Sequence, residues 1–153
     1  MKYLVTGGAG FIGSHLVATL IEAGHEVRII DNFLTGKREN LHPQAQFFEA
    51  DIRNLEAIKP AFVGVDGVFH TAALPRVQVS IQNPIETNEV NITGTLNVIL
   101  AAKEAGVKRL VYSASSSAYG DPISLPLVET MKPNPKSPYG LQKYVGEEYA
   151  KLA

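Results

Sequence analysis

The sequence contains no cysteine. A disulfide framework, a zinc–thiolate site and a thiol nucleophile are therefore excluded. An excess of one charge is missing too: 14 basic residues are interspersed with 15 acidic ones for a net charge of −1. No patch suited to nucleic acid or an anionic membrane is expected, and specificity must come from a site. Long hydrophobic runs are absent, since the apolar N-terminal stretch is broken by Thr6-Gly7-Gly8 and is too short for a signal-peptide core or a membrane span. The compartment expected is the cytoplasm. Internal repeats are lacking, and the 4 histidines are scattered without ligand spacing, so no metal site is expected.

What is present is 153 residues, 45% hydrophobic and 19% charged, enough for one soluble domain with a sizeable core. Its first thirteen residues run from a short apolar stretch into a glycine cluster, after which apolar residues recur at helical spacing. Gly8-Ala9-Gly10-Phe11-Ile12-Gly13 matches the dinucleotide fingerprint. One glycine would allow a tight turn, one a close backbone approach to a pyrophosphate, and one close packing of helix on strand. A pyrophosphate there meets free N–H groups and the positive end of the helix dipole, with Gly7, Gly10, Phe11, Ile12 and Gly13 around it.

Alone, three spaced glycines are easily a plain turn; their context decides. A second apolar run, Glu26 to Asp31, places an acidic residue 18 positions after Gly13, close to the distance at which a ribose acceptor is required. Asp31, with Asn32 beside it, would accept both ribose hydroxyls and repel a 2′-phosphate, which favours NAD over NADP.

Further strands are expected at Gln46–Ala50, Asp66–His70 and Lys108–Ser113, alternating with helices at Phe11–Ala23 and after Asp51. A long helix, Pro84–Ala105, starts from an Asn83 cap and carries apolar residues on several faces. This alternation implies an α/β doubly wound, Rossmann-type sheet of about five parallel strands with helices on both faces. Asp51 and Ile52 would flank an adenine; the alternative is that Asp51 or Asn54 caps the following helix. Ala72 and Ala73 are small enough to let a ligand lie against the backbone. His70 is expected to be a packed or hydrogen-bonded histidine rather than a metal ligand or base. Five prolines from Gly120 to Pro138 mark an irregular loop, followed by a final helix from Pro138 to Leu152.

The fifth strand delivers a serine-rich turn, Ser113 to Gly120, to the edge where the reactive end of a dinucleotide lies. Tyr139 and Lys143 then stand one helical turn apart on one face. A tyrosine of ordinary pKa near 10 is a poor base at neutral pH, and a neighbouring ammonium favours its phenolate. Tyr139 could then take a hydroxyl proton while a hydride leaves the same carbon.

Taken together, Thr6-Gly7-Gly8-Ala9-Gly10-Phe11-Ile12-Gly13, Asp31-Asn32, Asp51-Ile52, His70-Thr71-Ala72-Ala73, Asn91-Ile92-Thr93-Gly94-Thr95, the serine turn ending in Tyr119-Gly120, and Tyr139-x-x-x-Lys143 resemble the extended short-chain dehydrogenases/reductases. They look most like the NAD-dependent sugar-nucleotide epimerase/dehydratase branch. The resemblance implies Tyr139 as base, Lys143 as its partner and a holder of the nicotinamide ribose, and Ser115 as the hydroxyl that orients substrate, with Ser113 and Ser116 as neighbouring alternatives. It implies that Asn91 joins these residues through water, although Asn91 could equally be a polar packing residue. Dehydratases of the branch carry an acidic residue after the orienting hydroxyl, and here Ser116-Ser117 stands there instead. A UDP-hexose 4-epimerase is therefore expected, with a dehydratase, a decarboxylase or a non-catalytic NAD-binding module as alternatives.

Members of the branch continue past the tyrosine–lysine helix into a smaller domain that grips the nucleotide of the substrate, and this sequence stops shortly after Lys143. The expectation is a fragment lacking that substrate domain, which keeps NAD affinity with little or no turnover. The long helix carries apolar residues on several faces, and the resemblance implies that it and the tyrosine–lysine helix form a dimer bundle, so a homodimer is expected.

Overall fold

The computed structural model describes residues 1–122 and 124–153. Five strands, β1 Lys2–Thr6, β2 Glu26–Asp31, β3 Gln46–Glu49, β4 Gly67–His70 and β5 Arg109–Tyr112, form one sheet in the order β3-β2-β1-β4-β5. Every neighbouring pair is parallel. The register sets Thr6 beside both Ile30 and His70, and His70 beside Tyr112. The carboxyl ends of four strands therefore reach one edge together, where a doubly wound sheet binds ligands.

The strands are short β-branched and aromatic runs; the central ones, β1, β2 and β4, are largely buried, while the edge strands β3 and β5 keep exposed positions such as Gln46, Glu49, Arg109 and Val111. Helix α1, Phe11–Glu22, buries Val17 against Val5, Val27 and Ile29 on one face. On the other face α2, Leu55–Phe62, and α5, Thr95–Glu104, enclose Leu4, Ile30, Ile58, Phe62, Val68 and Val98. Asn54 opens α2 by accepting from the Ala57 N–H at 3.1 Å, so the capping role falls to Asn54 and Asp51 has no part in it.

The expected long helix differs in three respects. A separate helix, α3 Val77–Gln82, precedes it; its six residues are too few for periodicity to declare it. The run from Pro84 is then helical throughout but changes winding: α4, Pro84–Asn88, passes into a π-helical segment, Glu89–Gly94, before α5 begins. Asn83 occupies the N-cap position, yet its side chain makes no capping bond.

Of the loop expected between Gly120 and Pro138, Ile123 lies outside the described residues, and the others form neither helix nor strand. The last helix, α6 Pro138–Leu152, is capped by Ser137, whose Oγ accepts from the Gly140 N–H at 3.1 Å. No described helix is long and apolar enough to cross a membrane.

Candidate active site: a dinucleotide cleft faced by Tyr139 and Lys143

The ends of β1, β2 and β4, the start of α1 and the face of α6 enclose a cleft of about 340 Å³. Its floor is the glycine turn. Gly7 has φ +71, which L side chains rarely adopt, and a Cβ there would stand 2.8 Å from the Ala72 backbone. A Cβ on Gly13 would lie 2.8 Å from the Gly7 carbonyl carbon and the Gly8 Cα. Helix α1 thus starts in direct backbone contact with the turn. The tight-turn task belongs to Gly7, one residue ahead of the fingerprint, while Gly8 makes room for the Ile29 side chain, 2.6 Å from where its Cβ would be.

At the first turn of α1 the N–H groups of Phe11, Ile12 and Gly13 take no backbone partner, and neither an acidic side chain nor a side-chain cap serves them. Free donors at the positive end of a 12-residue helix suit a phosphate. Asp31, 8% exposed, accepts from the Ala9 N–H at 3.0 Å and the Phe33 N–H at 2.8 Å. It therefore ties the glycine turn to the end of β2, and its remaining lone pairs are those that could meet a ribose.

Farther along, Asn32 donates to Asp51 at 3.0 Å and Arg53 pairs with Asp51 at 2.6 Å. The hydrogen bond from Arg53 holds the Asp51 carboxyl below its ordinary range. Ile52 is buried beside Gly94, where a Cβ would come within 2.6 Å of its side chain. Gly7, Gly10, Phe11, Ile12, Gly13, Asp31, Asn32, Asp51, Ile52, Ala72, Ala73, Tyr139 and Lys143 all line the same cleft. A dinucleotide fits this set: free donors, a carboxylate acceptor and a wall of small residues lie in succession.

Asn91 stands apart from this set. It is 1% exposed and lies behind the cleft wall rather than in it. Its Oδ1 accepts from the Leu74 N–H at 2.8 Å, and its Nδ2 donates to the Leu74 carbonyl at 3.0 Å and to Gln142 Oε1 at 2.9 Å. Both hydrogens of the amide and one lone pair of its oxygen are committed in this way. Asn91 supports the loop that lines the cleft.

Ser115 turns its Oγ to accept from the Ser117 N–H at 3.2 Å, which opens a short 3-10 turn, Ser116–Ala118. Ser113 and Ala114 stand in the cleft wall, with Ser115 just beyond them. The Ser115 hydroxyl keeps its own hydrogen for donation.

His70 is buried between two threonines, Nδ1 being 2.6 Å from Thr6 Oγ1 and Nε2 2.9 Å from Thr95 Oγ1. The Thr95 hydroxyl donates to the Asn91 carbonyl at 2.7 Å, so toward His70 it can only accept. This network assigns the hydrogen to Nε2. Burial, helped by the Lys143 charge, pushes His70 down to about 3. The ring is a neutral strut and cannot serve as a base.

On α6, Tyr139 is half-buried and Lys143 is 4% exposed. Burial lowers Lys143 to about 8. The helix is held by buried polar contacts that give no signal in the sequence. The Tyr139 N–H donates to Ser80 Oγ at 3.0 Å, and Gln142 Nε2 donates to Thr87 Oγ1 at 3.0 Å while its Oε1 accepts from Asn91. Ser80, Thr87 and Gln142 are polar residues on helices, and only the tertiary packing distinguishes them from surface positions.

Comparison with known proteins agrees with this geometry. The family model described as "NAD dependent epimerase/dehydratase family" matches residues 3–153. A putative UDP-glucose 4-epimerase of Methanocaldococcus jannaschii is 46% identical over 151 residues, covering 97% of this chain and 50% of that protein. A UDP-glucose 4-epimerase of Streptomyces lividans is 41% identical over 145 residues, covering 93% and 44% respectively. Among solved structures, the UDP-glucose 4-epimerase of Thermotoga maritima with UDP-glucose superposes with a TM-score of 0.95 at 41% identity, covering 99% of this chain and 50% of that one. The Thermus thermophilus enzyme in complex with NAD gives 0.92 at 43% identity, with the same coverage of 99% and 50%. The chain spans about half the length of the curated relatives it matches.

Proposed function

The chain belongs to the NAD dependent epimerase/dehydratase family, and on that premise we propose that it forms the cofactor-holding and proton-handling half of a UDP-hexose 4-epimerase. The observation that carries this is the meeting of Tyr139 and Lys143 with the glycine turn around one cleft. NAD, when bound, would accept hydride from the substrate C4 and give it back. In this reading the unpaired N–H groups of Phe11, Ile12 and Gly13 hold the pyrophosphate, Asp31 the adenosine ribose, and Asp51 with Ile52 the adenine. Ala72 and Ala73 form the close wall beside Gly7.

Tyr139 takes the proton from the sugar C4 hydroxyl and later returns it. Lys143 supplies a cation beside the phenol, which favours its ionised form. It would also hold the nicotinamide ribose. Ser115 donates to the substrate oxygen and orients it, which its free hydroxyl hydrogen permits. Ser116 and Ser117 provide no carboxylate of the kind that elimination needs, so epimerisation is favoured over dehydration.

For the 153 residues by themselves the activity proposed is retention of NAD with little turnover, because the relatives that epimerise are about twice as long. Mass measurement of nucleotide carried through purification tests the first half. Steady conversion of UDP-glucose to UDP-galactose by this chain would overturn the second. In the protein carrying the rest of the relatives' length, Tyr139→Phe is expected to lower kcat by about 10²–10⁴ with NAD still bound; loss of NAD instead would sink the assignment.

A homodimer through the long helical run and α6 is part of this reading, supported by the exposure of Ile85, Leu100 and Leu141. Light scattering that gave only the monomer mass at high concentration would remove it.

A further inference from the structure

Lys143 has 4% of its surface exposed, and no carboxylate lies within ion-pair distance of it among the described residues. A buried lysine commonly needs such a partner. What stands against this one is an aromatic face: Nζ lies 4.2 Å from the centroid of the Tyr112 ring. The Tyr112 hydroxyl in turn donates to the Lys143 carbonyl at 3.3 Å. One side chain at the end of β5 therefore grips Lys143 at both its head group and its backbone.

One turn on, Gly146 leaves space for this ring. A Cβ there would lie 2.7 Å from Tyr112 Cζ, a distance that would force the ring to move. The absence of a side chain at position 146 is needed for the ring to sit beneath the ammonium. The other titratable groups facing this spot make no ion pair with Lys143. His70, 5.6 Å from the Tyr112 ring centroid to centroid, is neutral. Glu147, on the same helix, is paired with Lys151 at 2.7 Å. Tyr139, also on α6, faces the same cleft.

We infer that Tyr112 is a positioning residue for Lys143, whose ring face takes the place of a carboxylate so that the ammonium is held without being neutralised. A carboxylate would cancel the lysine's field at Tyr139 and occupy its N–H donors. A ring quadrupole attracts the cation while leaving its charge and donors directed elsewhere. Lys143 must serve both a phenol and a ribose, and the ring leaves it free for both. The inference rests on the cofactor- and phenol-facing role proposed for Lys143, while the pairing itself can be measured without NAD.

The test uses NMR on the 153-residue chain with labelled lysine and no nucleotide. Ring current from Tyr112 is expected to move the Lys143 ε-methylene protons upfield, Tyr112→Phe to keep that shift, and Tyr112→Leu to abolish it. The Lys143 titration midpoint is expected to fall by about half a pH unit in Tyr112→Leu relative to Tyr112→Phe. Urea midpoints read on β1 and β2 establish that each variant folds. Should Tyr112→Leu fail to fold, Gly146→Ala displaces the ring without deleting it and is expected to abolish the upfield shift. An unshifted Lys143 in the parent chain, or a shift that survives Tyr112→Leu or Gly146→Ala, overturns the inference. A parent chain that shows the upfield shift but binds no NAD overturns the proposed function and leaves the pairing standing.

Discussion

Asn91 engages both backbone polar groups of Leu74, its Oδ1 accepting from the N–H at 2.8 Å and its Nδ2 donating to the carbonyl at 3.0 Å. A side-chain amide thus does for the loop after β4 what a neighbouring strand would do. Leu74 lines the cleft, and the same amide touches Gln142 on α6. The loop on the cofactor side and the helix carrying Tyr139 and Lys143 therefore share one buried support.

Gln142→Leu keeps the volume of that support and removes its polarity. A buried donor of Asn91 is left without its acceptor, and Thr87 Oγ1 loses the N–H that points at it. Each orphaned group costs about 1–3 kcal/mol, so urea unfolding should show a loss of about 2–6 kcal/mol. A change under about 0.5 kcal/mol, the size ordinary for a surface position, would mean that the pair is not formed.

His70 gives the fold an acid sensitivity with a defined sign. Its folded pKa, about 3, lies below the unfolded value of 6.5, so protons bind the unfolded chain more readily between these limits. Stability is therefore expected to fall as pH drops below 6.5, by about 1.4 kcal/mol per pH unit from this group. His70→Gln should flatten the profile between pH 6.5 and 5, above the range in which the carboxylates titrate. An unchanged slope in that variant would assign the acid loss to other groups.

Lys143 acts at the alkaline end. Its folded pKa of about 8 lies below the ordinary 10.5, so burial penalises the charged form and the full penalty operates below pH 8. Stability is expected to gain from this group as pH rises from 8 toward 10.5. Lys143→Met should be more stable than the parent at pH 7, and the gap should narrow by pH 9.5. A gap constant with pH would show that Lys143 does not titrate in this window.

Asp31→Ala removes the acceptor of both the Ala9 and the Phe33 N–H groups and the carboxylate proposed to hold the ribose. NAD affinity is expected to fall about tenfold or more, with the preference for NAD over NADP reduced, both read by titration calorimetry. NAD binding at parental strength would remove Asp31 from the site.

The parts of this architecture that could be read in the sequence are those encoded within a few residues of one another. The glycine turn, the acidic end of β2 and the Tyr139–Lys143 spacing are local patterns, and each strand declares itself by its own β-branched or aromatic run. Asn91 was recognisable as a residue of interest, but its partners at Leu74 and Gln142 lie 17 and 51 positions away, and spacing along one helix says nothing of them. Which glycine makes the tight turn depends on neighbours far along the chain: Gly7 lies against Ala72, and Gly8 against Ile29. Helix α3 is too short for its periodicity to accumulate, and the π-helical segment adds a residue per turn that no single-residue propensity reports.

The buried contacts of α6 with its neighbours have one further consequence. A helix docked through apolar side chains alone can slide by a turn and recover most of its contact. Gln142 can satisfy Asn91 and Thr87 together in one axial position, and Ser80 can reach the Tyr139 N–H in that same position. Directional bonds of this kind convert docking into indexing: a displaced α6 would leave every one of these polar groups unmatched. The helix therefore has a single setting, in which Tyr139 and Lys143 come to the cleft as a pair.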